Sequence, residues 1–203
     1  MNHRFKRAIS FVEVAFVIFI LIFAYLFVFK KMFDNMRYTD FRRLAGTSMT
    51  HLDVASRNIT LGKGFIGKFQ SDWDMVKTFY DALDAEKICY DAQGEGCWSN
   101  NWLWSNPAKV GIKTKQNEFI IMTLYSPTCS NKINVPNTCG EIVIDTNGKN
   151  APNRVGQDIL KFYVIKNAII PAGTKLDLIN RPETCDMDKN FSWGCTAKFL
   201  IVK

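Results

Sequence analysis

The stretch Lys6-Arg7-Ala8-Ile9-Ser10-Phe11-Val12-Glu13, running on in apolar residues to Phe29, decides how this chain is read. Residues 8–29 hold only Ser10 and Glu13 as clearly polar members. As an α-helix they would span about 33 Å, which matches the hydrocarbon core of a bilayer. A cleavable secretory signal has a shorter apolar region and a small-x-small site behind it. Here Phe27-Val28-Phe29 leads straight into Lys30-Lys31, so the helix is expected to stay with the chain.

Glu13 needs a reason. A carboxylate inside an apolar span costs about 3 kcal/mol on insertion scales. One reading keeps it shallow, near the helix start, where the interface and the helix dipole both favour it. The other gives it a partner that arrives later, since a paired buried charge costs far less than a lone one.

Beyond this helix the chain is ordinary. Its 203 residues, 47% hydrophobic and 22% charged, suffice for one core and an extra element rather than two domains. The net charge is +7. Much of it flanks the span, with Arg4, Lys6 and Arg7 before it and Lys30, Lys31, Arg37, Arg42 and Arg43 after it. Such residues meet lipid headgroups, so the charge is weak grounds for nucleic acid. Lys109, Lys113 and Lys115 could serve a duplex-binding patch, although solvated surface is the plainer reading.

The six cysteines, Cys89, Cys97, Cys129, Cys139, Cys185 and Cys195, all follow the span and fall into three local pairs. None has the short spacing of a zinc site. Loop-closing disulfides suit the separations and require an oxidising compartment. Six cysteines permit other connectivities, and sequential pairing is the expectation. A plain count of flanking basic residues would put the following domain in the cytoplasm. The cysteines argue for the other side, and we follow them.

The order Lys6-Arg7-Ala8, Ile9-Ser10-Phe11-Val12-Glu13, then a long apolar helix, resembles the N-terminus of type IV prepilins. The resemblance implies a basic leader, residues 1–8, cut by a prepilin peptidase between Ala8 and Ile9, with Glu13 fifth in the mature chain. The family's usual residues at the cut are glycine and phenylalanine; Ala8 and Ile9 stand there instead. It further implies that Glu13 pairs with the N-terminal amine of a neighbouring subunit and sets register during assembly. The partners implied are inner-membrane lipid, other pilin subunits and the peptidase. A minor pilin or pseudopilin in a periplasmic or cell-surface filament is the role that follows.

The expected fold is α+β and pilin-like, with a long N-terminal helix and a head built on an antiparallel sheet. Residues 9–29 form the membrane half of the helix and residues 30–61 its continuation. Phe41, Leu44, Met49, Leu52 and Ile59 approximate one apolar face of that second half. Gly62, Gly64 and Gly67 break it, and the head covers residues 62–203. Ser71 reads as an N-cap, and Trp73, Val76, Phe79, Tyr80 and Leu83 follow at helical spacing to about Lys87. Strands are expected at 119–124, 141–144, 159–165 and 198–202. Trp98, Trp102 and Trp104 either cover the sheet or form an adhesive patch.

The segment Asp145-Thr146-Asn147-Gly148-Lys149-Asn150-Ala151-Pro152-Asn153-Arg154-Val155-Gly156-Gln157-Asp158 carries two readings. It is either a hydrogen-bonded Asx loop without metal, the plainer one, or a calcium loop using oxygens of Asp145, Asn147, Asn153 and Asp158. It resembles a loop of minor pilin-like proteins. Calcium is the one cofactor the sequence raises. There is no phosphate-binding glycine loop, nucleophile elbow or metalloprotease helix, so no enzyme is expected. Two other functions stay open: an uncleaved bitopic protein with a binding head, and a DNA-uptake pilin.

Overall fold

The structure is a computed structural model that describes residues 11–83, 85–98, 109–132, 134–186 and 191–201. It divides into two compact units, one ending at Asp40 and one beginning at Phe41.

Helix α1, Phe11–Thr60, contributes to both. Its first 35 residues contain neither glycine nor proline, so nothing in them interrupts the helical hydrogen-bond ladder. In the second unit α1 buries a stripe of Phe41, Ala45, Ser48, Leu52, Ala55 and Ile59. The steps of three and four residues are those of a single helical face. Leu44 and Met49, expected on that face, sit half-buried at its flank. Alanine and serine take the middle because they let a helix approach closely, and a search for large apolar residues passes over them. The helix stops where Leu61 and Gly62 turn to positive φ, 47° and 80°.

Helix α2, Asp72–Ala82, is capped as the sequence predicts: the Ser71 hydroxyl accepts from Asp74 N, and Met75, Val76 and Phe79 are buried. Six strands follow: β1 Lys87–Cys89, β2 Gly111–Lys113, β3 Phe119–Leu124, β4 Thr138–Asp145, β5 Ile159–Ile165 and β6 Ala168–Pro171. They pair in sequence order as one antiparallel meander. Helix α3, Cys195–Ile201, ends the described chain. The strand expected at 198–202 is therefore an error for its described part. Lys198-Phe199-Leu200-Ile201 is too short for its period to separate strand from helix. The helix is held by the Cys185–Cys195 bridge, by Lys198 Nζ donating to Cys185 O at 2.9 Å, and by Ala197 N donating to Ala172 O at 2.9 Å.

The central strands are apolar on both faces, and β4 is buried at every position. The register puts Phe119, Ile121, Val143 and Ile159 on one face and Ile120, Met122, Ile142, Ile144, Leu160, Phe162 and Val164 on the other. The first face is covered by loops. Cys89, Ala92, Cys97 and Trp98 pack there with Phe119, Ile121, Val143 and Ile159, joined by Trp193. Val135 packs with Tyr163 and Ala172, again beside Trp193. Helix α2 packs against β1, β2 and β3, and its Phe79 joins Phe65 and Phe69 in a cluster of buried rings.

All three covering loops are closed by disulfides, Cys89–Cys97, Cys129–Cys139 and Cys185–Cys195, the sequential pairing. Cys139 lies at a register irregularity between Thr138 and Gly140 on β4. A buried ion pair also sits on this face: Lys161 Nζ lies 3.0 Å from Glu141 Oε2 and 4.5 Å from the Trp193 ring centroid. Such a pair needs its neighbours in place, because either charge alone would be stranded.

Replacing both cysteines of one pair by serine should cost about 2–3 kcal/mol, from loop-closure entropy alone. Denaturant unfolding of the full chain in detergent, with Cys129→Ser/Cys139→Ser against the parent, measures this. A parent whose stability is unchanged by reductant would contradict it.

Candidate functional site: an uncovered apolar helix and a buried carboxylate loop

Two places carry the residues singled out in the sequence. The first is the start of α1. Residues Phe11–Phe29 are long and apolar enough to cross a membrane, and none of their side chains is buried by the rest of the protein. A core helix would be covered by its own chain, and this one is not. Its aromatic side chains climb at i,i+4 spacing, Phe19 to Phe23 at 6.5 Å, Phe23 to Phe27 at 4.4 Å and Tyr25 to Phe29 at 4.5 Å between ring centroids. Glu13 lies in the first described turn, at an exposed position. The expected cut between Ala8 and Ile9 and the leader before it lie outside the described residues.

The second place is the connection between β4 and β5. Asp145 and Asp158 stand at its two ends, both fully buried. Thr146 closes the loop, its N and Oγ1 donating to Asp158 O at 2.9 and 3.1 Å. The Asp158 carboxylate accepts from Arg154 N at 2.6 Å, Asn153 N at 2.7 Å and Asn147 Nδ2 at 3.1 Å. Asp145 Oδ1 accepts from Asn147 N at 3.3 Å. Asn153, in the left-handed region at φ 49°, reaches inward. With its amide nitrogen facing in, it lies 2.9 Å from Asn150 O and 3.0 Å from both Gly148 O and Asp145 Oδ2.

The four residues expected around calcium are thus brought together, but unequally. Asp158 is committed to N–H donors, which is what an Asx loop needs. Asp145 Oδ2, Gly148 O and Asn150 O converge on the Asn153 side chain, which would complete a set of hard oxygens if it presented its own. Among the described residues no three histidine, cysteine or acidic side chains gather around a metal position. Hydrogen bonds engage the side chains of Asp145, Asn153 and Asp158, while Asn147 Oδ1 is buried with no hydrogen-bond partner.

Electrostatics mark the same pair. Burial, and then the nearby Asp158 charge, push the Asp145 carboxyl up to about 8. Burial also raises Asp158, against the pull of its backbone N–H donors.

A third polar group was not legible in the sequence. The buried Glu118 carboxylate accepts from Ser48 Oγ at 2.5 Å and Thr114 Oγ1 at 3.3 Å, with His51 Nδ1 at 3.6 Å. It clips α1 to the β2–β3 turn. Ser48 donates to the carboxylate, so serine and histidine are not arranged as nucleophile and base. A shallow cleft lined by His51, Val54, Ala82, Leu83, Thr114 and Gln116 opens beside it.

Of the remaining candidates, Trp98 is buried against the sheet, and Trp102 and Trp104 lie outside the described residues. Lys113 pairs with Glu86 at 3.0 Å, and Lys109 donates to Thr123 Oγ1 at 3.3 Å, so two of the three lysines considered for duplex binding face protein partners. Comparison with known protein families, curated proteins and solved structures finds no match to this chain.

A carboxyl raised from 3.8 to about 8 contributes stability that is complete below the lower value and lost as pH climbs through the upper one. The head should therefore melt at falling temperature as pH rises from about 4 to about 8. Asp145→Asn should flatten that slope, as read by thermal unfolding. Calcium added at the alkaline end should raise the melting temperature of the parent and not of the variant if the loop takes the ion. A shift shared by both would exclude this loop as the site.

Proposed function

We propose that this chain is a structural subunit of a type IV pilin-like filament, a minor pilin or pseudopilin, released for assembly by cleavage between Ala8 and Ile9. The observation that carries the reading is the apolar length of α1, from Phe11 to Phe29, left uncovered by its own chain with Glu13 in its first described turn. Such a surface needs lipid or neighbouring helices, and a polymerising subunit uses each in turn. Within that packing Glu13 pairs with the amine that cleavage frees on the next subunit. The three disulfides fit a head that matures in an oxidising compartment. The α+β layout, with an antiparallel sheet following the helix, agrees with the same reading.

The first test is the mass and N-terminus of the protein extracted from membranes of cells with and without a prepilin peptidase. A chain starting at Ile9 only where the peptidase is present supports the proposal. A chain starting at Met1 in both favours the uncleaved bitopic binding protein. In the cleaving strain, Glu13→Ala should leave processing intact and abolish recovery of the subunit in sheared filaments.

A further inference from the structure

Segments far apart in sequence meet at one end of the sheet, where β3 ends, β4 begins and β5 turns into β6. Phe65 N donates to Lys166 O and Gly67 N to Pro127 O, both at 2.8 Å. Lys166 N donates to Asn137 O and Leu178 N to Asn134 O, both at 3.0 Å. Gly64, at φ 77°, makes the approach possible, since a Cβ there would meet Lys166 O at 2.5 Å. The end of α1, the Cys129–Cys139 loop, the β5–β6 turn and the loop after β6 thus form one continuous rim.

The rim is basic. Lys63, Lys68, Lys132, Lys166, Lys175 and Arg181 are all exposed, and none has an ion-pair partner among the described residues. Among the described residues, the acidic members of the same segments are Asp177, Glu183 and Asp186. Asp177 is 2% exposed, and its carboxylate accepts from Gly173 N, Ile179 N, Asn180 N and Asn180 Nδ2. Glu183 and Asp186 are exposed, two carboxylates against six cations. Asp72 and Asp74 adjoin this end, with carboxylates engaged by Leu124 N at 2.6 Å and Gln70 N at 2.9 Å.

The rim is also aliphatic. Leu176, Leu178 and Ile179 are 53%, 59% and 59% exposed, on a turn fixed by the buried Asp177. Leu61 and Ile66 are exposed on the neighbouring segment. Apart from Tyr125 at this same end, the only other large apolar side chains so exposed on the described head are Val54 and Tyr90. A single exposed leucine means nothing, but three within four residues on a preorganised turn mark a contact surface.

We propose that this rim docks on an anionic lipid bilayer surface, with Leu176, Leu178 and Ile179 entering the interface and the surrounding cations meeting headgroup phosphates. Aliphatic prongs among lysines are the composition of interfacial membrane contacts, where lysine stems lie along the acyl boundary and the ammonium reaches the phosphate. Non-specific nucleic-acid binding rests on phosphate contacts and, for single strands, on aromatic stacking, neither of which calls for a cluster of three aliphatic side chains. The proposal uses residues of the head only and stands apart from the filament reading.

The test uses the full chain in phosphatidylcholine nanodiscs, sedimented with heavy vesicles of phosphatidylcholine alone or mixed equally with phosphatidylglycerol. The nanodiscs should sediment with the anionic vesicles and not with the zwitterionic ones, and empty nanodiscs with neither. Leu176→Ser/Leu178→Ser/Ile179→Ser and Lys175→Glu/Arg181→Glu should each lower the bound fraction about tenfold. All five positions are exposed, and an unchanged melting temperature verifies the fold. Failure to sediment with anionic vesicles would overturn the proposal. So would a charge variant that loses binding while the serine variant keeps it, or tighter binding of a DNA duplex that the serine variant retains.

Discussion

A sheet apolar on both faces must be covered twice, and most of this head follows from that constraint. One face can be met by regular structure, since α1 and α2 both carry buried apolar stripes. The other is met by irregular chain, which lacks the repeating hydrogen-bond ladder of a helix or strand. Three disulfides hold it there, each closing a loop that delivers a side chain to this face: Ala92, Val135 and Trp193. Burying the Lys161–Glu141 pair beneath Trp193 depends on that cover staying closed.

Legibility in the sequence tracked the length and chemistry of each element. Strands β3 and β5 could be read to the residue because most of their six and seven side chains are β-branched or aromatic. Strands β1, β2 and β6 are three or four residues each and exist because longer neighbours offer them an edge. That is a tertiary cause and leaves no local mark. Helix α3 was misread for the related reason that its short apolar run fits both periods, while the contacts that select the helix come from Cys185 and Ala172. The face of α1 was half legible, because small side chains do in it what large ones do elsewhere.

The sites divided in the same way. Asp145, Asn147, Asn153 and Asp158 could be picked out because turn-forming residues cluster in sequence where they cluster in space. Glu118 could not, since its partner Ser48 lies seventy positions away. The basic rim is more dispersed still, with its lysines spread over segments that only the meander's turns bring together. For the span the position is reversed: residues 8–29 are fully legible as apolar, and structure adds that the chain itself supplies no cover for the described part.

The bridges have one further property, which is their locality. Each joins cysteines only 8 or 10 residues apart, and the three closed loops do not overlap along the chain. Each partner therefore follows soon after its mate as the polypeptide is made, N-terminus first. A bridge needs no cysteine more than 10 positions ahead of its first one. Chain order and pairing order coincide, which shortens the time any thiol spends exposed to a wrong partner.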